Sequence, residues 1–148
     1  MAAIILSIKP EFVEKIISGE KKFEYRRRLC KREIDRIYIY STAPVKQVVA
    51  EAEVTGRMEG DKEDIWRWTE KLSGIDRKYF DRYFEGRECA GCYCLGAVKV
   101  YETGFDLQRF GVLHAPQSYV YVVSGVPVQD LQNHEQELSN DQNDSLQK

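Results

Sequence analysis

"SGEKKFEYRRR", residues 18–28, sets Phe23 and Tyr25 among two lysines, two glutamates and three arginines. The period-two spacing of its aromatics reads as a strand. Phe23 and Tyr25 then share one face with Lys21 and Arg27, while Lys22, Glu24, Arg26 and Arg28 take the other. Strict alternation would separate Lys21 from Glu24. For the two to meet, the chain must bend after Gly19, by a turn or a bulge. Two readings fit these charges. One is a solvated, salt-bridged surface strand, worth little in stability. The other is the rim of an anion-binding pocket. There Arg26 would offer a planar fork to a phosphate or a base edge. A partly buried Lys21 would have a lowered pKa and act as base or nucleophile. Glu24 would hold a cation or carry a proton.

The neighbouring segments place this stretch in a fold. "AIILSI" (3–8) is an apolar run of strand character. In "PEFVEKIISG" (10–19), Phe12, Val13, Ile16 and Ile17 recur at helical spacing, and Gly19 is a C-terminal cap. "RIYIYST" (36–42) alternates isoleucine with tyrosine, and "VVAEAEVTG" (48–56) is a further strand. Residues 61–74 and 75–86 read as two helices, the second capped by Asp76, with Tyr79, Phe80, Tyr83 and Phe84 as core packing. "CYCLGAVKVYE" (92–102) and "YVYVVSG" (119–125) return to strand character, with a loop or short turn over 105–118. The expected architecture is α+β: a small mixed β-barrel with helices packed at its openings.

The chain has 148 residues, 43% hydrophobic and 31% charged, which suits a single folded domain. The expected domain is 1–127. Residues 128–148 hold five acids, one base and few apolar side chains, and are expected to be a disordered acidic tail. The formal charge of −2 hides this division, since residues 1–127 carry 21 Lys and Arg against 19 Asp and Glu. Seven of those bases fall between Lys21 and Arg32, against Glu24 alone. The chain therefore joins a near-neutral body, one basic patch and an acidic tail. No apolar run is long enough to span a bilayer, and the N-terminal run lacks a basic flank. The expectation is a cytoplasmic protein with no membrane partner, whose four cysteines are thiols.

"GEKKFEYR" has the form Gly-x-Lys-x-x-Glu-x-Arg, which resembles the signature of the ASCH (activating signal cointegrator homology) domains. These belong to the PUA-like β-barrels. "SIKPEFVEKIISG", "IYIYSTAPV", "VVAEAEV" and "APQSY" resemble that family's other segments in order, so the resemblance covers roughly residues 4–124. It implies a cleft beside the motif and RNA binding in connection with transcription or translation. Some small members are amidohydrolases that deacylate N4-acetylcytidine, and one type is a ribonuclease. In the amidohydrolases a lysine at the place of Lys21 acts with a threonine and a glutamate. Glu24 stands where the threonine would be, and Glu63 and Glu70 are the candidates for the second acid.

Other constellations are weaker. Cys89, Cys92 and Cys94 lack the paired spacing of a zinc site, so neither metal nor cofactor is expected. His114 has no evident nucleophile partner, and His134 lies in the tail. Trp66 and Trp68, two apart on a helix, point different ways, one to the core and one outward. The leading expectation is an RNA- or nucleotide-binding PUA-like module and regulator of transcription or translation, whose partner is RNA, single-stranded nucleic acid or a modified nucleoside. Lys9, Lys21, Arg26, Arg28, Ser41, Thr42, Gln117 and Ser118 would form its nucleic-acid contacts. The rival is an amidohydrolase or ribonuclease using Lys21 and Glu24 in the same cleft. A third reading is a module that docks an acidic protein. The sequence does not fix the oligomeric state.

Overall fold

A computed structural model describes residues 2–122. Its sheet is organised by strand β1 (Ala2–Ile8). Ile4, Leu6 and Ile8 enter one core cluster and Ile5 another, so β1 is buried on both faces, as a continuous apolar run requires. Strand β3 (Ile34–Ser41) repeats the division, with Ile37 and Ile39 in the first cluster and Tyr38 and Tyr40 in the second. β1 pairs in parallel with β3 and antiparallel with β6 (Tyr119–Val122). β4 (Gln47–Asp61) and β5 (Cys89–Phe105) form a long antiparallel ladder, and β2 (Phe23–Tyr25) pairs with β5. The sheet has six strands in the order β2-β5-β4-β3-β1-β6, mixed in direction.

The α+β class holds, but the expected barrel does not form, because the sheet is open. β2 and β6 are its two edges and do not pair with each other. Lys22 N donates to Leu72 O (2.8 Å), and Lys21 makes an isolated bridge to Ser73. The connection between two helices thus docks on the chain just ahead of β2.

Helix α1 (Pro10–Ser18) starts on a proline, carries Glu11 in its first turn and stops at Gly19, whose φ of +87° is left-handed. It buries Val13 and Ile16. The helix read over 61–74 is α2 (Lys62–Thr69), capped by the Asp61 carboxylate and followed by a 3-10 turn, Glu70–Leu72. α3 (Arg77–Tyr83) is capped by Asp76, which accepts from Tyr79 N at 2.8 Å. Ile65, Phe80 and Phe84 from this helical layer pack with Tyr25, Ala90 and Cys92 in a third cluster. Trp66 lies against Phe80, with ring centroids 4.9 Å apart, while Trp68 is 63% exposed. The expected loop at 105–118 contains a 3-10 turn, Leu107–Phe110, that buries Phe110 against Tyr38. Among the described residues no helix is long and apolar enough to cross a membrane. The domain boundary at 127, the acidic segment 128–148 and His134 lie outside the described residues.

Candidate functional site

The end of α1 produces the bend that the motif requires. Lys21 N donates to Lys15 O at 3.0 Å, closing the turn past Gly19. β2 begins only at Phe23, so Lys21 escapes the alternation of the strand. Lys21 and Glu24 consequently line one cavity of about 150 Å³ with Arg26 and Lys9. Its apolar walls come from Phe12 of α1, Tyr25 of β2, Ile75, and Tyr79 and Tyr83 of α3.

Lys21 is the most constrained group in it. Only 2% of the residue is exposed. Nζ donates to Ser73 O at 2.7 Å and sits 4.8 Å from the Tyr25 ring centroid and 5.6 Å from that of Phe12. Burial lowers its pKa from 10.5, an effect partly opposed by the carboxylate of Glu24. Gly74 makes this burial feasible. It has a φ of +69°, and a Cβ on it would fall 2.5 Å from Lys21 Cβ. Tyr25 beneath the amine donates to Thr69 Oγ1 at 2.7 Å, and burial raises its phenol pKa.

Glu24 is 7% exposed. Its Oε1 stands 3.7 Å from Arg26 Nε, while Oε2 is buried and has no hydrogen-bond partner among the described residues. A buried carboxylate oxygen in that state is costly unless something donates to it. Arg26 is held by the bond from its Nη2 to Ser7 O at 2.7 Å. Ser7 Oγ in turn donates to Pro116 O at 2.7 Å, tying the 116–118 segment to the cavity rim. Burial also raises the pKa of the Tyr83 hydroxyl, which accepts from Arg27 N at 3.2 Å.

Of the residues singled out in the sequence, Lys9, Lys21, Glu24 and Arg26 meet in this cavity. Arg28 lies in an adjoining groove. Ser41 is buried opposite Ile8, and Thr42 N donates to Ile8 O at 3.0 Å, so both stand behind the cavity lining. Gln117 is exposed and Ser118 half-buried next to Pro116; neither lines the cavity. Glu63 pairs with Arg77 on the surface and Glu70 is exposed, so neither reaches it. His114 is exposed outside it. Tyr79 and Tyr83, expected in the core with Phe80 and Phe84, are half-buried and also form cavity walls, Tyr83 while packing against the core cluster of Phe80 and Phe84. Phe80 of α3 and Phe84 just after it are buried, and the tyrosines, whose hydroxyls favour a wet edge, take the half-exposed stripe beside them. Cys92 is buried beneath the site, with its thiol pushed up to about 12 by that burial. Among the described residues no cluster of His, Cys, Asp or Glu is placed to hold a metal ion.

A model of the ASCH domain matches residues 6–98. The chain belongs to the ASCH domain family. An ASCH domain-containing ribonuclease of Zymomonas mobilis is 35% identical over 92 residues, which are 62% of this chain and 62% of that protein. The large ribosomal subunit protein uL22 of Ureaplasma parvum is 26% identical over 120 residues, 80% of this chain and 39% of that one. The chain thus matches less than two thirds of either relative's length. The crystal structure of ASCH from Zymomonas mobilis superposes with a TM-score of 0.76 at 27% identity, covering 88% of this chain and 91% of that one. A point variant of that protein gives 0.77 at 26% identity, covering 90% and 96%. These superpositions support the α+β fold described above.

Proposed function

We propose that this ASCH domain is a ribonuclease acting on single-stranded RNA. One observation carries the reading: the buried Lys21 amine shares a single cavity with Glu24 and Arg26. The ribonuclease of Zymomonas mobilis supports the choice of reaction. Burial makes the Lys21 amine easier to deprotonate, which suits it to take the proton of a ribose 2′-hydroxyl. The 2′-oxygen then attacks the adjacent phosphorus, and the P–O5′ bond breaks. The departing 5′-oxygen takes a proton from solvent, leaving a 2′,3′-cyclic phosphate. Arg26 offers its fork to the non-bridging oxygens, where charge builds. Glu24 holds Arg26 and tunes Lys21. Phe12, Tyr25, Tyr79 and Tyr83 are walls against which a base can stack.

The test is incubation of end-labelled single-stranded RNA with the wild type and with Lys21→Met, which keeps bulk but removes the amine. Cleavage to cyclic-phosphate ends by the wild type alone is the expected result. The same RNA with 2′-deoxyribose at the scissile position should stay intact. Salt-dependent binding of uncut RNA would instead favour a reader, the regulator of transcription or translation considered from the sequence. Release of acid from an N4-acylated cytidine would favour the amidohydrolase.

A further inference from the structure

A second concavity adjoins the site. It has a volume of about 410 Å³ and is lined by Arg26, Arg27, Arg28, Arg87 and Glu59 over a floor that includes Gly91. Arg26 lines both spaces, so it stands at their boundary. We propose that this groove is a second phosphate subsite, which holds the next phosphate of the same RNA strand. The inference rests on the reading of RNA as the substrate.

Charge is the first reason. Four guanidinium groups face a single carboxylate among the lining residues, which fits an anion. Preorganisation is the second. Arg27 Nε donates to Tyr83 O at 2.7 Å, and its guanidinium lies 4.4 Å from the Tyr83 ring centroid. Arg87 Nη1 donates to Arg27 O at 2.9 Å. Both stems are therefore fixed before any ligand arrives, which lowers the ordering cost of binding. Arg28 is exposed beside them. Continuity is the third reason. A free phosphate or a mononucleotide is accommodated by the cavity alone. Only an extended polyanion occupies the cavity and the groove together, with Arg26 between its two phosphates. Because contacts to phosphate oxygens carry no sequence information, a groove that holds a phosphate should add affinity without sequence preference. Arg87 lies far from the motif in sequence and reaches this groove only through the fold.

The experiment measures binding of the full-length chain to 2′-O-methyl oligouridylates by fluorescence anisotropy. These probes lack the attacking hydroxyl and remain intact. A hexanucleotide should bind about tenfold tighter than a dinucleotide at low salt. Arg28→Ala combined with Arg87→Ala should reduce that ratio to about twofold. It should also flatten the plot of log affinity against log salt by about 0.7 per lost phosphate contact. Arg67→Ala combined with Lys99→Ala removes an equal charge at exposed positions outside the groove and should leave the ratio intact. If the double variant folds poorly, Arg28→Glu alone changes an exposed side chain and should still lower the ratio. Equal binding of both lengths by the wild type overturns the subsite. So does a ratio that survives the groove substitutions, or a groove that binds polyglutamate and ignores RNA. If an unmodified hexanucleotide binds with the full length dependence but is never cut, the ribonuclease reading falls and the subsite stands.

Discussion

At the scale of single residues, the question is why a lysine is buried in a domain that could have placed it in water. Its aliphatic stem packs under Gly74, its amine has one carbonyl partner, and its nearest acid leaves one oxygen unpaired. Such an arrangement costs stability, and it is typical of a site whose groups are poised for a ligand. The sign of that cost can be read in a pH experiment. Burial lowers the folded-state pKa of Lys21 below its unfolded value of 10.5. Between those two values the unfolded chain binds the extra proton, so stability rises with pH. Below the folded pKa the penalty is fully present. Compared with Lys21→Met, the wild type should therefore gain melting temperature as pH rises toward 10.5, because the other titrating groups are shared. An unchanged difference would mean that the amine is solvated. Glu24→Gln addresses the same group from the other side. Removing the carboxylate that raises the Lys21 pKa should move the rising limb of the pH–rate profile to lower pH. The loss of its hold on Arg26 should lower kcat by about tenfold to a hundredfold.

At the scale of elements, the site depends on short connections. Residues 72–74, between α2 and α3, dock on the chain just ahead of β2, accept the Lys21 ammonium bond and let its stem pass. Gly74→Ala should cost about 1–3 kcal/mol in urea unfolding, since it combines a left-handed φ with a clash against the Lys21 stem. It should also lower RNA cleavage by displacing the amine. A variant that kept both stability and activity would show that this connection is not what positions Lys21. Such details explain what the sequence could and could not reveal. The β1 run, the α1 cap at Gly19 and the Asp76 cap carry local signals, and they fold as read. The bend that joins Lys21 to Glu24 was posed as a condition by strand alternation, but its cause lies in Leu72 and Lys15, distant or on the preceding helix. Tyr79 and Tyr83 had the periodicity of core residues, and only the packing of α3 turns them into cavity walls. Barrel closure was a property of the whole sheet, and the docking of a turn just ahead of β2 has no local signature.

At the scale of the molecule, the charge is divided between a basic face and an acidic end. Arg26, Arg27, Arg28 and Arg87 lie around the site and its groove, and Asp130, Glu135, Glu137, Asp141 and Asp144 crowd the last 21 residues. On the proposed reading of RNA as substrate, those five acids decide whether RNA meets a net-negative or a net-positive protein, since the chain has a formal charge of −2. Replacing them with Asn and Gln in the full-length chain should raise the RNA association rate at low salt by about threefold to tenfold. Because the effect acts through the field, it should shrink as the Debye length falls to about 8 Å near physiological ionic strength. A gain that persists in high salt would point to direct occupation of the basic groove by the acidic segment, since close contacts are screened far less than distant charges. No gain at any salt would mean that the arginines around the site act on RNA independently of the chain's acidic end. Stopped-flow association across a salt series separates these outcomes, because field effects appear in the on-rate and direct competition also appears as a slow, salt-resistant phase.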